Sequence, residues 1–146
     1  MAHVVADKLN PYLSDLVVNY LKLHDIHWKV KGASFVDVHL YTEARYDDMA
    51  LKFDEVAEKI IMRGGVPVST IAQYLELATI KEAGQEYYQD SDALKIVLAD
   101  LKHLLAEAQQ IRAELDEAGE TSPVMMLDEH IASYEKEVWF LSAMVA

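Results

Sequence analysis

Helix-breaking residues are rare in this chain, and most of them are grouped, so long segments of sequence run without interruption. The 146 residues include five glycines and three prolines. All-β folds need a turn after every short strand, and such turns are rich in these two residue types. Because 52% of the residues are hydrophobic, the chain also has the composition of a globular protein. The sequence therefore predicts a folded and mainly helical protein.

Apolar residues recur every three or four positions within these segments, which is the spacing of one buried helix face. We expect long helices over residues 10–32, 34–63, 91–119 and from 121 nearly to the end, and a short one over 71–77. Asn10 followed by Pro11 is typical of a helix start, and Gly64-Gly65 with Pro67 of a helix end.

The predicted fold class is all-α. The order of helices is that of a four-helix bundle, the ferritin-like kind included, with a short extra helix in the crossover between the second and third helices. Periodicity alone also fits a short-loop bundle of another family. We expect a single domain over residues 1–146, since this length is typical of one domain.

Acidic residues outnumber basic ones by almost two to one. Asp and Glu number 25 against 13 Lys and Arg, so the formal net charge is −12. Such a chain lacks the basic face that binds nucleic-acid phosphates or an anionic membrane surface. Cysteine is absent, which excludes disulfides and thiolate metal sites. Because the sequence has neither a signal-peptide pattern nor an apolar run of about 18 residues, we expect a cytoplasmic protein.

Histidines and carboxylates in the first two predicted helices form a regular pattern. His39 and Glu43 are four residues apart, and Asp54 and Glu58 repeat this spacing. Residues four apart lie on the same face of a helix, and these four positions fall within an arc of about 100°. With His27 from the first helix, the chain offers two half-sites. One is rich in nitrogen (His27, His39, Glu43), and the other has oxygen alone (Asp54, Glu58).

The two half-sites are too far apart to bind one metal ion within a chain. Glu43 and Asp54 are eleven residues apart, which is about 16 Å along a helix, whereas metal–ligand bonds are about 2 Å long. Two copies of the second helix, packed antiparallel about a two-fold axis near residues 48–49, would bring each half-site onto its complement. This geometry predicts a homodimer with two identical sites. Imidazole and carboxylate ligands without sulfur suit Fe(II), Mn(II) or Zn(II).

These residues also have simpler interpretations than a metal site. A histidine on an amphipathic helix is more often a boundary residue than a ligand, and paired acids are most often a solvated surface beside lysines. His24 is an additional candidate ligand. His103 and His130 have no acidic partner pattern and are interpreted as structural. Trp28 is by default a core or interface aromatic.

The five candidate ligands stand in an ordered motif of some forty residues. The pair His27-Trp28 is followed by a second histidine after twelve residues, an acid after four more, an aspartate eleven further and a glutamate four beyond. Around them stand Lys29-Val30-Lys31-Gly32, Phe35, Tyr46, Ala57-Glu58-Lys59-Ile60 and Gly64-Gly65-Val66-Pro67. This pattern resembles the signature of the Dps family of miniferritins, with all five ligand positions filled. The Glu-x-x-His element of larger ferritins is missing, which favours an intersubunit site.

The resemblance implies an iron-storage and detoxification protein: a hollow dodecamer, built from two-fold dimers, that holds iron as a ferric mineral. It implies a ferroxidase site between two-fold partners, with His27, His39 and Glu43 from one chain and Asp54 and Glu58 from the other. Two Fe(II) ions would bind at each site and be oxidised by hydrogen peroxide, with Zn or Mn as substitute ions. The chain would then be an oxidoreductase.

Two alternatives to a ferroxidase follow from the same sequence. The first is a DNA-binding, architectural member of the family, which the net charge of −12 and the single basic residue before Asn10, Lys8, disfavour. The second is a helical bundle that binds protein partners without ferroxidase activity, which the complete ligand pattern disfavours. If the site is a ferroxidase, Trp28 is placed either to intercept a stray oxidising equivalent or to pack. We expect neither DNA binding nor membrane association.

Overall fold

Five helices account for most of the chain in the computed structural model, which describes residues 3–146. In chain order the elements are α1 (Val4–Lys29), β1 (Val30–Lys31), α2 (Phe35–Met62), α3 (Ile71–Leu77), β2 (Tyr88–Gln89), α4 (Asp90–Glu117) and α5 (Thr121–Val145). The predicted all-α bundle, with a short helix in the crossover between the second and third long helices, is confirmed.

The bundle is built from two helical pairs. α1 packs along α2, α4 packs along α5, and α1 also contacts α3 and α4. The loop within each pair is short, so the paired helices run antiparallel. The largest fully buried side chains include Tyr12, Leu16, Met49, Leu104 and Tyr134. Burial of a leucine or methionine contributes about 1.5–3 kcal/mol, so this core fixes α1 against α2, the two helices that carry the predicted ligands.

The predicted start of the first helix is wrong. α1 begins at Val4, not at Asn10, and Pro11 lies inside it. His3 is the N-cap, and its Nδ1 accepts a hydrogen bond from the Ala6 N–H at 3.2 Å. A proline inside a helix removes one backbone hydrogen bond. The additional turns are nevertheless stable because their apolar side chains pack in the core: Val5, Ala6 and Leu9.

Asn10 connects α1 to the chain that leaves α2. Its side-chain amide donates to the carbonyl of Val66 at 3.1 Å, and its side-chain oxygen accepts from the Val68 N–H at 2.9 Å. α2 ends as predicted just before Gly64, which has a φ of +88°. Asn10, which the sequence predicts to be a helix cap, therefore joins α1 to the segment after α2, and we call this role a clamp.

The turn between α1 and α2 is anchored to the start of α4. β1 pairs in parallel with β2, which directly precedes α4. The Asp90 carboxylate accepts a hydrogen bond from the Ser34 N–H at 2.9 Å. Gly32 has a φ of +134°, and a Cβ at this position would lie 2.5 Å from Oδ2 of Asp90, so only glycine fits. The turn that separates the two predicted histidine ligands is thus held by the second helical pair.

The remaining helices agree with the predicted ranges. The bounds of α2, α3 and α4 differ from the prediction by two residues or fewer. α5 begins at Thr121, with Glu120 at the N-cap position and Pro123 in the first turn. From residue 3 to the end, the chain contains no helix that is both long and apolar enough to cross a membrane.

Candidate metal centre

His27, in the last turn of α1, and His39, near the start of α2, lie face to face. Their ring centroids are 3.6 Å apart, and their planes differ by 16°. The His27 side chain is buried, and His39 is half-buried. The structure therefore brings together two of the five predicted ligands from two different helices.

Each of these histidines is oriented by the backbone of the other. Nδ1 of His27 lies 2.7 Å from the carbonyl oxygen of His39, and Nδ1 of His39 lies 2.9 Å from the carbonyl oxygen of His27. A carbonyl oxygen only accepts hydrogen bonds, so both Nδ1 atoms carry a proton. In the neutral ring the lone pair then lies on Nε2, the atom that is left for a metal. Both rings are therefore held in the tautomer that leaves the Nε2 lone pair able to bind a metal ion.

Thr42 supports this arrangement from the buried side of α2. Its hydroxyl is fully buried, donates to the backbone of α2 (2.8 Å to the Val38 carbonyl, 3.0 Å to that of His39), and lies 3.2 Å from Nδ1 of His27. Sequence reasoning missed this residue. The available signal was a small hydroxyl residue three positions after a candidate ligand, on the same face of the helix.

The three predicted carboxylate ligands, Glu43, Asp54 and Glu58, are exposed on α2. Within residues 3–146, none of them forms an ion pair. Lys52, which lies between them in sequence, pairs with Asp48 instead. Their exposure agrees with the interpretation of these acids as a solvated surface, but the pairing with neighbouring lysines is not observed within residues 3–146.

One chain does not assemble the predicted five-residue site. Among residues 3–146, only Asp15, His103 and Glu107 form a group of three or more His, Asp or Glu whose ligand atoms all lie within 4.8 Å of one another. None of the five predicted ligands belongs to that group. Because α2 is one continuous helix from Phe35 to Met62, its two half-sites are separated by about 16 Å, as the rise per residue requires.

Aromatic side chains cover the outer side of the histidine pair. His24 donates from Nδ1 to the carbonyl four residues earlier at 2.9 Å, and its ring stacks on Tyr46 with centroids 3.7 Å apart. Partial burial, followed by the charges of Glu43 and Asp47, raises the pKa of Tyr46, so this phenol is neutral at physiological pH. His24 is enclosed between Tyr46 and Trp28, which favours a packing role over that of an additional ligand.

An apolar groove lies between α1 and α3, and Trp28, the residue after His27, is part of its lining. We call it the α1–α3 groove, and it has a volume of about 510 Å³. Its exposed apolar side chains include Leu21, Trp28, Ile71 and Leu75, and Trp28 is 65% exposed. Exposed apolar surface of this kind marks an interaction site more often than a monomer surface.

The bundle and its histidine pair define a ferritin-like helical subunit, and the chain matches the ferritin-like domain family over residues 6–146. The DNA protection during starvation protein of Brevibacillus brevis is 38% identical over 141 residues, which cover 96% of this chain and 93% of that protein. The crystal structure of a Dps protein from Bacillus brevis has a TM-score of 0.95 at 35% identity and covers 100% of both chains.

A third comparison links the fold to metal chemistry. The Dps protein of Vibrio cholerae O1, described as a member of a superfamily of ferritin-like diiron-carboxylate proteins, has a TM-score of 0.93 at 28% identity and covers 97% of this chain and 89% of its own. This chain belongs to the Dps family of miniferritins, a ferritin-like iron-storage family. The resemblance inferred from the motif between His27 and Pro67 is thereby confirmed.

Proposed function

We propose that this protein oxidises Fe(II) at a site shared by two chains and stores the product as a ferric mineral inside an oligomer. The observation that carries the proposal is the pair of Nε2 atoms oriented by the reciprocal Nδ1–carbonyl bonds of His27 and His39. Imidazole nitrogens combined with carboxylate oxygens, without sulfur, suit Fe(II), and Zn or Mn would be substitute ions. Membership of a ferritin-like family supports iron as the substrate.

In the proposed site, His27, His39 and Glu43 of one chain face Asp54 and Glu58 of the partner subunit. The separation of the half-sites along α2 supports this arrangement, because a two-fold axis near the middle of the helix would superimpose each half-site on its complement. The α1–α3 groove supports it independently, since a second copy of the chain would cover its exposed apolar side chains.

Two Fe(II) ions per site make hydrogen peroxide the preferred oxidant, because together they supply both electrons that peroxide accepts. The balanced reaction takes two Fe(II), one H₂O₂ and two protons to two Fe(III) and two H₂O, and no hydroxyl radical is released. The carboxylates stabilise the higher charge of Fe(III) more than that of Fe(II). The imidazoles hold the geometry because the backbone fixes their orientation.

The assembled protein is proposed to be a dodecamer of two-fold dimers that does not coat DNA. The name of the Brevibacillus brevis relative states protection of DNA, but this chain has a net charge of −12. Duplex binding releases counterions only where cations cluster. We therefore expect no mobility shift of duplex DNA at about 0.15 M salt with chelator present. A clear, salt-sensitive shift would contradict this part of the proposal.

Anaerobic loading with Fe(II), followed by hydrogen peroxide, tests the activity. We expect ferric absorbance to rise with about two Fe(II) consumed per peroxide, faster than with dioxygen, and native mass spectrometry to find the iron in the oligomer. His39→Ala should slow the reaction about tenfold or more, whereas His3→Ala, which removes an imidazole outside the site, should not. Equal rates for His39→Ala and the unmodified protein would contradict the proposal.

A further inference from the structure

A second cluster of metal-ligating side chains lies away from the histidine pair. Asp15 of α1 meets His103 and Glu107 of α4. Nε2 of His103 is 3.8 Å from Oδ2 of Asp15 and 3.6 Å from Oε2 of Glu107, and one ligand atom from each residue lies within 4.8 Å of the other two. His103, which is interpreted from its sequence context as structural, is four residues before Glu107, so both lie on one face of α4.

Asp15 is a fixed and fully buried member of this cluster. Its Oδ1 accepts hydrogen bonds from the N–H groups of Thr79 at 2.6 Å and Ile80 at 2.8 Å, and its Oδ2 accepts from the Thr79 hydroxyl at 2.6 Å. Three bonds to the segment after α3 leave this carboxylate no freedom to turn. A ligand that is already immobile loses little entropy when it binds an ion.

Glu107 lacks the partner that a buried carboxyl group needs. Its Oε2 is buried and has no hydrogen-bond partner within residues 3–146. Burial, followed by the neighbouring Asp15 carboxylate, raises the pKa of Glu107 to about 9. In the same part of the chain, His103 is the one basic side chain at ion-pair distance from either acid. The carboxyl groups of Asp15 and Glu107 thus face each other, with His103 as the basic side chain beside them.

We propose that Asp15, His103 and Glu107 bind a divalent first-row transition-metal ion at a site separate from the ferroxidase centre. Ligand atoms at about 2.1 Å from a central ion, at angles of about 109–120°, lie about 3.4–3.6 Å apart, close to the two distances measured from His103. One imidazole nitrogen and two carboxylate oxygens suit Zn(II), Mn(II) or Fe(II). The ion would join α1 to α4, and so stabilise the fold when bound.

The cluster also offers a route for the ion and a further oxygen. The His103 side chain is 46% exposed, so the site opens to solvent on that side and water can complete the coordination shell. The Thr79 hydroxyl lies 2.7 Å from Nε2 of His103 while it donates to Asp15. In the absence of an ion, Nε2 of His103 therefore donates its hydrogen to that hydroxyl. An ion would displace this hydrogen and bind Nε2 directly.

Titration with Co(II), used as a spectroscopic probe, tests the proposal in the oligomer. All measurements use a background variant with His39→Ala and Asp54→Ala, so that the proposed ferroxidase centre does not compete for Co(II). We expect one Co(II) per chain, visible ligand-field absorption and a higher Tm with the ion. Adding His103→Ala should weaken binding about tenfold or more, and so should the conservative Glu107→Gln. Adding His3→Ala instead should leave the affinity for Co(II) and the rise in Tm on binding unchanged.

Anomalous scattering from Co(II)-soaked crystals of the same background locates the ion. The expected peak lies within bonding distance of Nε2 of His103. Failure to bind Co(II), binding that His103→Ala leaves unchanged, or a peak at another place each overturns the proposal. Because this background lacks two of the proposed ferroxidase ligands, the outcome is independent of the ferroxidase proposal.

Discussion

Two backbone carbonyl groups determine which nitrogen each imidazole presents at the proposed iron site. His27 and His39 each donate from Nδ1 to the other's carbonyl, and the Thr42 hydroxyl lies beside one of these bonds. Groups that orient a ligand without binding the ion themselves still affect metal affinity, because they fix the ring and its tautomer. Small changes behind the histidine pair should therefore alter iron oxidation.

Thr42→Val should slow Fe(II) oxidation about tenfold, because it keeps the shape of the buried side chain and removes only the hydroxyl beside His27. Initial rates of ferric absorbance measure this effect. The matched control is Ser14→Ala, since the Ser14 hydroxyl donates to a carbonyl four residues earlier at 2.8 Å in a buried part of α1. A Thr42→Val rate equal to that of the control would show that the hydroxyl has no part in orienting the ligand.

His130 should make the folded protein less stable as the pH falls. Its Nδ1 contacts the Tyr12 hydroxyl and its Nε2 the Glu55 carboxylate, and burial, followed by the charge of Lys52, lowers the pKa of His130. The unfolded chain then binds the proton more readily than the folded one. This contribution is complete above the unfolded value of about 6.5 and decreases as the pH falls towards the lower folded pKa.

Thermal unfolding between pH 7.5 and 5.5 measures this contribution. The Tm of His130→Gln should fall less steeply over this range than that of the unmodified protein, because glutamine has no proton to gain. The other histidines are common to both proteins, so their contributions cancel in the comparison. Identical slopes would mean that His130 is protonated equally in the folded and unfolded states.

The spacing of the candidate ligands could be predicted from the sequence, but the orientation of their side chains could not. The spacing of His39, Glu43, Asp54 and Glu58 depends only on helical rise, so it can be read before any fold is known. The tautomer of each histidine depends on a carbonyl from another helix, which no local pattern contains. The cluster around Asp15 was missed for the same reason, because Asp15 comes from a different helix than His103 and Glu107.

At the scale of elements, long-range bonds override local capping signals. Asn10-Pro11 has the local chemistry of a helix start, yet α1 continues through it because the preceding turns bury apolar side chains. The pairing of β1 with β2 was not predicted, since two residues per strand are too few to show an alternating pattern. By contrast, the bounds of α3 follow from its own residues, Ile71–Leu77, and were predicted correctly.

Asn10→Ala tests whether this residue is a cap or a clamp. If Asn10 is a clamp, its substitution by alanine should lower the free energy of unfolding by about 1–3 kcal/mol. The Val68 N–H donates a hydrogen bond to the Asn10 side-chain oxygen at 2.9 Å, so its hydrogen should exchange faster in the variant. The amides of the first turns of α1 should stay protected. Hydrogen exchange followed by NMR or mass spectrometry measures both. Faster exchange in the first turns, with Val68 unchanged, would restore the capping interpretation.

At the level of the whole molecule, residues 3–146 of one chain do not assemble the proposed five-residue site. The nitrogen-rich and oxygen-only half-sites lie at different places on α2, and the α1–α3 groove leaves apolar side chains exposed. In the proposed function, a second copy of the chain would complete the half-sites and cover the groove. The proposed function therefore requires that every ferroxidase site be built from two chains.

Subunit mixing tests this claim most directly. One variant carries His27→Ala and His39→Ala, and the other carries Asp54→Ala and Glu58→Ala. Each alone should be nearly inactive, because every site lacks part of its ligands. In a mixed dimer, the intact histidines of one chain meet the intact carboxylates of the other at one of the two sites, and the remaining site loses both halves.

Co-refolded mixtures should regain Fe(II) oxidation to about a quarter of the unmodified rate, because random pairing makes about half of the dimers mixed and each restores one of two sites. Native mass spectrometry verifies that the subunits have exchanged. A site contained within one chain predicts no recovery at any mixing ratio. If mixtures with verified exchange stay as inactive as their parents, the intersubunit site is wrong.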